Sequence, residues 1–364
     1  METEIQKVKT GADLVTHSRM QCFKTCRRKH WYKYGLRVRR ESGPALRMGS
    51  MVHTALDLLK NGSTLDEVSA AIRENYTPLL EAADTLDRVD ALELEAEKVW
   101  RLTQGWFNRW APPFVSDVAI VASELPFNLA IANPATGCSS RTYSVAGKID
   151  GICTLPGRVL LLEHKTAGES IGLDAPYWNR IRLDTQITLY MLAARKLGYP
   201  VSGVFYDMIR KPSIAPKLVG KGPDKHRENV QEYGERLAAD IAARPEFYYA
   251  RKEIPRLNSE LDEMAHELWQ IAIDMRQAEL KGHHFKNSGA CASPYPCEFL
   301  EVCANRTDLS VDPLPEGFER LDYVHPELKE DDNATTDTTD TAASENESEG
   351  GAPGDNGQAE VVYH

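Results

Sequence analysis

Four aliphatic residues in a row, Val159-Leu160-Leu161-Leu162, run straight into Glu163-His164-Lys165. A continuous apolar run of this kind is expected of a strand buried on both faces. Such a strand has no cheap place for a charge, so the charges that end it constrain the fold around them. Upstream, Val145 to Leu155 reads as the partner strand and Pro156-Gly157 as the turn between the two. Asp150 interrupts that partner. With a period of two, Glu163 and Lys165 point to the same side, and pairing about the turn brings Asp150 beside them. Two carboxylates and a lysine at a strand end make a site for a hard divalent cation with a water alongside. An edge-strand salt bridge uses the same three groups.

The 364 residues allow a sizeable core and one or two domains. The polar N-terminus shows no secretory signal and no apolar stretch is long enough for a bilayer, so a cytoplasmic protein without a membrane partner is expected. Net charge is −11, and 11 acids against the single base Lys329 fall in residues 326–364. The body before them is therefore near neutral. The acidic end is rich in Asp, Glu, Thr, Ser and Gly, cannot bury enough to fold, and is expected to be a disordered tail. Residues 24–47 carry nine Lys or Arg and only Glu41 as an acid, with Trp31, Tyr32 and Tyr34 interleaved. This block suits phosphate contacts with base stacking, or a solvated helix face. Seven cysteines without a signal argue against a disulfide framework. Cys291, Cys297 and Cys303 crowd into thirteen residues, which suggests metal.

In chain order, residues 17–35 read as a helix capped by Ser18 and stopped at Gly35, with a turn at Ser42-Gly43-Pro44. A second helix runs from about Leu46 to Lys60 with His53 on an apolar face; taken alone, that histidine is a core residue. Residues 64–110 read as helical with a break near Thr77-Pro78 and a stop at Pro112-Pro113. The aromatic stripe of Trp100, Trp106 and Trp110 is read as core. A strand over 117–132 carries Glu124, and Cys153 is a small core residue. After a loop at 167–182, a helix over 183–197 puts Gln186 and Tyr190 on one face. A strand over 201–210, a basic Pro/Gly-rich loop over 211–226 and helices near 227–244 and 258–281 complete an α/β pattern.

These motifs, in this order, resemble the PD-(D/E)XK nuclease superfamily, and within it the RecB/AddB-like exonuclease group that includes phage exonucleases and CRISPR-adaptation nucleases with an iron–sulfur cluster. Gly147-Lys-Ile-Asp150 is similar to the aspartate strand, with Ile149 in place of the proline of the superfamily's name. Glu163-His-Lys165 is similar to the (D/E)-x-K motif, Gln186-Ile-Thr-Leu-Tyr190 to Q-x-x-x-Y, Gly49-Ser-Met-Val-His53 to the helix with a metal-binding histidine, and Cys26-Arg-Arg-Lys-His-Trp-Tyr-Lys-Tyr34 to the N-terminal cysteine motif. The resemblance implies a restriction-endonuclease-like mixed sheet flanked by helices, and a nuclease domain over residues 15–325. A flexible stretch 1–14, a helical insert at about 64–111, a cluster segment at 283–305 and the tail from 326 complete that organisation.

It further implies Mg²⁺ or Mn²⁺ held by Asp150, Glu163, His53 and the carbonyl of His164, with Glu124 as an extra acid. Lys165, Gln186 and Tyr190 join Asp150 and Glu163 in catalysis. Cys26, Cys291, Cys297 and Cys303 would hold a [4Fe–4S] cluster, or Zn²⁺ in its place. Cys22 rivals Cys26, and His283 and His284 are lesser rivals. Arg27, Arg28, Lys29, Tyr32, Lys33 and Lys211 would contact DNA. The implied activity is a metal-dependent exonuclease on double- or single-stranded DNA ends in recombination or repair. The implied partners are a recombinase, single-strand-binding protein, helicase or integrase. The alternatives are a CRISPR-adaptation nuclease and a non-catalytic iron–sulfur scaffold.

Overall fold

The structure, a computed structural model, describes residues 13–40, 43–110, 118–220, 225–292, 295–311, 313–325 and 328. The flexible stretch expected before residue 13, Ser42, the Pro112-Pro113 stop and the acidic tail apart from Leu328 lie outside the described residues.

The strands are β1 (Asp13–Val15), β2 (Val38–Arg40), β3 (Ala119–Ala132), β4 (Ser139–Leu155), β5 (Arg158–Ala167), β6 (Gly203–Arg210), β7 (Leu218–Val219), β8 (His226–Arg227), β9 (Tyr249–Pro255) and β10 (Phe318–Arg320). The helices are α1 (His17–Thr25), α2 (Arg27–His30), α3 (Pro44–Lys60), α4 (Leu65–Glu81), α5 (Leu86–Trp110), α6 (Tyr177–Ile181), α7 (Thr185–Lys196), α8 (Val230–Ala243), α9 (Pro245–Tyr248), α10 (Asn258–Lys281) and α11 (Leu300–Ala304). None of them is long and apolar enough to cross a membrane. The expected α/β class and mixed central sheet are both present.

The central hairpin closes as its sequence requires. β4 and β5 pair antiparallel from Leu155↔Arg158 to Gly151↔Leu162, around Gly157 at φ +75°. Glycine adopts that left-handed backbone without a Cβ penalty. β3 covers one edge of β4 along most of its length. The other edge is shared. β1 pairs there in parallel with Tyr143–Val145, and β5 takes over at Gly151. β5 pairs in parallel with β6 from Leu161↔Val204 to Ala167↔Arg210, and beyond Leu162 it has left β4. The sheet therefore forks between Asp150 and Glu163. β9 closes the far edge against β6.

Helices bury both faces. Met20 and Phe23 of α1, Leu189 and Met191 of α7 and Met264 and Met275 of α10 share a core with Val145, Ile149 and Leu161 of the sheet. On the other side Val52 and Leu56 of α3, Tyr76 of α4, Trp106 of α5 and Tyr233 of α8 pack with Ile209 and Tyr249. Each fully buried aliphatic side chain contributes roughly 1.5–3 kcal/mol relative to exposure. A third cluster joins Tyr32 and Val38 to Phe299, Val302 and Leu309. Cys153 is fully buried against Leu160 and Leu162, as read.

Several boundaries differ from the expected ones. Asp13 and Leu14 are not loose but form β1. The helix expected over 17–35 breaks at Cys26, which is extended (φ −161°, ψ 114°), and Thr16 rather than Ser18 caps it. Pro78 sits inside the last turn of α4, where it removes one ladder bond, and the break falls after Ala82 instead. The loop at 167–182 contains α6, and β9 was not anticipated. Its stretch Tyr249-Ala-Arg-Lys-Glu-Ile carries three consecutive charged residues, which hid an edge strand from a hydrophobicity reading.

Candidate active site

Asp150 and Glu163 stand where the sheet forks, and Glu163 is only 3 % exposed. Beyond Gly151 the ladder needs a new acceptor for the next amide of β5. Asp150 supplies it, taking the His164 N–H at Oδ2 over 2.9 Å. His53 reaches the same oxygen from α3, Nδ1 to Oδ2 3.4 Å. Burial works against an ionised Asp150, but His53 and the His164 amide outweigh it and hold the carboxyl below the usual range. Reciprocally, burial works against a charged His53, yet Asp150, Glu163 and Glu124 raise it. For Glu163 burial comes first and Asp150 adds to it, so the carboxyl is raised despite Lys165.

Lys165 is held by three oxygens at once: Glu163 Oε1 at 3.0 Å, Asp184 Oδ2 at 3.1 Å and Gln186 Oε1 at 3.1 Å. The Glu163 and Asp184 carboxylates overcome its burial and raise its pKa. Asp184 was missed from sequence. Its signal is a carboxylate at the N-cap of α7, accepting from the Gln186 amide at 2.9 Å, two residues ahead of the expected Gln186. Tyr190 is buried edge-on to Phe127, with ring centroids 5.6 Å apart. Gly147 makes that possible, since a Cβ there would stand 2.7 Å from Phe127 and 3.1 Å from Tyr190.

The elements around the fork are tied to it. Thr185 opens α7, and its Oγ1 bonds His17 Nε2 at 3.1 Å and Gln21 Nε2 at 2.7 Å, both on α1. Lys60, whose side chain is 2 % exposed, donates to the Asp150 carbonyl at 3.1 Å and lies 3.6 Å from Asp57, which accepts from Ser123 at 2.8 Å. Lys60 too was missed. It follows His53 by seven residues, two turns along the same helix face. Glu124 lies opposite Asp150 in register, in a left-handed backbone (φ 47°), and pairs with Lys148. The His164 side chain turns to the other face, where its ring meets buried Asp207 at 3.5 Å; burial lowers its pKa to about 4. Trp106 and Arg251 also hold Asp207, at 2.8 and 3.0 Å.

The residues expected to contact DNA also have partners within the protein. Tyr32 is 7 % exposed and packs on Phe299. Arg27 pairs with Asp274 at 3.4 Å, Arg28 donates to the His284 carbonyl at 2.6 Å, and Lys29 pairs with Glu298 at 3.0 Å. The basic block is mainly a staple between the N-terminal segment and residues 274–299; Lys33 is half-buried beside it. Lys211 donates to the Ala45 carbonyl at 2.6 Å.

Cys26, Cys291, Cys297 and Cys303 line one cavity of about 230 Å³ with Lys29, Asn287 and Tyr295. Cys22, His283 and His284 do not line it. Burial pushes the Cys22 thiol up to about 11, and His284 instead stacks on Trp31 at 4.4 Å. Among the described residues, no three His, Cys, Asp or Glu side chains converge on a single ion position. The fork side chains are turned to one another and to Lys165. As a donor set they suit a hard dication, because two adjoining carboxylates, one buried and raised, call for positive charge. Four thiols around one cavity suit a cluster or a soft metal.

A family model for the PD-(D/E)XK nuclease superfamily matches residues 14–304. Among solved structures, a candidate exonuclease from Eubacterium rectale is 14 % identical, with 82 % of this chain and 90 % of that one covered at a TM-score of 0.41. SSO0001 is 13 % identical, with 82 % and 89 % covered at a TM-score of 0.34. No curated protein matches.

Proposed function

The chain belongs to the PD-(D/E)XK nuclease superfamily, and from that premise we propose that it is a divalent-metal-dependent DNA exonuclease of the RecB/AddB-like kind, trimming linear ends in recombination or repair. The observation that carries this reading is Lys165, fixed by Glu163, Asp184 and Gln186 at the fork beside Asp150. A lysine needed only for a surface salt bridge has no use for three oxygens from two elements.

Asp150, Glu163, His53 and the His164 carbonyl would hold Mg²⁺ or Mn²⁺, with Glu124 as a further acid; the imidazole favours Mn²⁺ over an all-oxygen set. The bound ion supplies charge at the scissile phosphate and a water of lowered pKa. Lys165 keeps its proton and stabilises the negative charge that develops on the phosphoryl oxygens. Asp184 and Gln186 hold its ammonium in place, and Tyr190 supports Gln186 from the core. Lys60 and His53 keep the Asp150 strand and α3 together. Cys26, Cys291, Cys297 and Cys303 would hold a [4Fe–4S] cluster that ties the C-terminal segment to the N-terminal helix. A helicase is the partner this reading assigns to strand separation on duplex DNA.

The test is digestion of end-labelled linear and closed circular DNA by protein purified without oxygen, with Mg²⁺ or Mn²⁺, beside Lys165→Ala. Degradation of linear DNA alone, lost in the variant, is expected. Cutting of circles moves the reading to an endonuclease. Inertness on both, with metal retained by the cysteines, favours a scaffold. Iron and zinc content of the same sample decides between a cluster and a Cys₄ zinc site.

A further inference from the structure

Between β6 and α8 the chain builds a hairpin too small to stand alone. β7 and β8 share two residue pairs, Leu218↔Arg227 and Val219↔His226, and an isolated two-stranded hairpin is marginal even when longer. Its base is nonetheless firmly anchored. Tyr233 donates to the Ile214 carbonyl at 3.1 Å and Arg236 to the Ala215 carbonyl at 2.9 Å. Arg236 also grips Glu228 through both carboxylate oxygens, at 2.7 and 2.6 Å. Glu228 in turn accepts from the Lys217 amide at 3.0 Å, and its own amide bonds the Lys217 carbonyl at 2.9 Å. His226 is held by Glu232 at 3.0 Å.

What this anchoring presents is positive. Lys217, Lys225 and Arg227 are exposed, and no acid forms an ion pair with their side chains among the described residues. Lys225 precedes Arg227 by two, the spacing that returns a side chain to the same face. Leu218, directly across from Arg227, is 63 % exposed. The near-neutral body thus carries, on the described residues at the base of this hairpin, two cations and an apolar side chain that are exposed. The hairpin springs from the active-site edge: the Lys211 amide bonds the Ala167 carbonyl at 2.7 Å, two residues past Lys165. Seven residues reach at most about 25 Å, roughly the length of seven base-pair steps of duplex.

We propose that the β7–β8 hairpin is a nucleic-acid backbone clamp, in which Lys217, Lys225 and Arg227 neutralise phosphates leading from the active site and Leu218 rests against the sugars. The proposal rests on the nuclease reading. An anchored base lowers the ordering cost of binding at these three cations. It reads no sequence, because phosphate contacts position but do not specify.

The experiment measures DNA affinity against salt by fluorescence anisotropy, in a Glu163→Gln background that leaves the DNA uncut. The variant is Lys217→Ala/Lys225→Ala/Arg227→Ala, all exposed positions. Its log–log salt slope on duplex should be shallower by about 2–3, so that between 50 and 200 mM salt the parent loses roughly 40-fold more affinity than the variant. The charge-keeping variant Lys217→Arg/Lys225→Arg/Arg227→Lys should restore the slope. Cleaving protein with equal slopes overturns the clamp alone. A parent protein that neither binds nor cuts DNA overturns the clamp and the nuclease reading together.

Discussion

The fork and the cysteine cavity solve opposite problems. At the fork, buried charges answer one another: Asp150 has His53 and the His164 amide, and Lys165 has Glu163, Asp184 and Gln186. The cavity is lined by thiols with slight protein partners, an Asn287 amide at 3.4 Å from Cys26 and the Asn287 carbonyl at 3.6 Å from Cys291. The fork is built on central strands that the rest of the fold already fixes. The cavity joins residue 26 to residues beyond 290 through a small core around Phe299. On the proposed reading the first does the chemistry and the second closes the chain.

If that division is right, variants at the two places should separate cleanly. Lys165→Ala should lower the cleavage rate by roughly 10²–10³-fold, the usual cost of one lost transition-state charge. Its bound iron or zinc should equal that of the parent. Loss of metal together with activity in this variant would break the comparison. Cys303→Ser should do the reverse. It should lose metal and melt lower by on the order of 10 °C, since metal binding in such sites is folding free energy. Calorimetry beside metal analysis decides; an unshifted Tm would remove the closing role.

The two regions meet through α1. One end carries His17 and Gln21, which hold Thr185, and the other ends at Cys26 on the cavity wall. Thr185 lies between Asp184 and Gln186, both partners of Lys165. Thr185→Val keeps the shape and removes the acceptor, so kcat should fall about tenfold, the worth of ~1.4 kcal/mol, with KM unchanged. Thr185→Ser should restore it, which a purely structural effect of the missing methyl would not. If Thr185→Val changes KM and kcat alike, the contact serves binding and not Lys165.

The fork was legible because its signals are local. An apolar run ending in Glu163 and Lys165, and a turn that folds Asp150 back, are separated by a dozen residues. Period-two alternation is then enough to place all three. Gln186 was legible from its motif, but Asp184 was not, because a carboxylate before a helix reads as an ordinary cap. Lys60 stayed hidden because a buried lysine is seen only once the Asp150 carbonyl and Asp57 are placed around it. The spacing of Cys291, Cys297 and Cys303 pointed to them, and the resemblance added Cys26; all four line one cavity. In the basic block, composition shows charge but not the partner. Asp274, Glu298 and the His284 carbonyl come from more than 240 residues away.

The smallest expected effect tests whether the fork's internal answers are complete. Asp150 is lowered in the folded protein, so its stabilising contribution is present above the ordinary aspartate value, about 3.9, and is lost on acidification. Glu163 is raised, so the sign reverses. Its favourable contribution belongs to the protonated form, is fully present below the ordinary glutamate value, about 4.3, and is lost as pH rises through the folded value. Above the ordinary carboxylate values, where the Asp150 contribution is already complete, metal-free protein should therefore lose a few degrees of Tm as pH climbs towards neutral and beyond, and Glu163→Gln should flatten that decline. Added Mg²⁺ or Mn²⁺ should restore the loss in the parent and not in the variant, because only the parent offers a second carboxylate. A parent whose melting curve ignores both pH and metal in this window would mean that Lys165 alone satisfies Glu163, and would leave the fork with a salt bridge where the comparison requires a metal site.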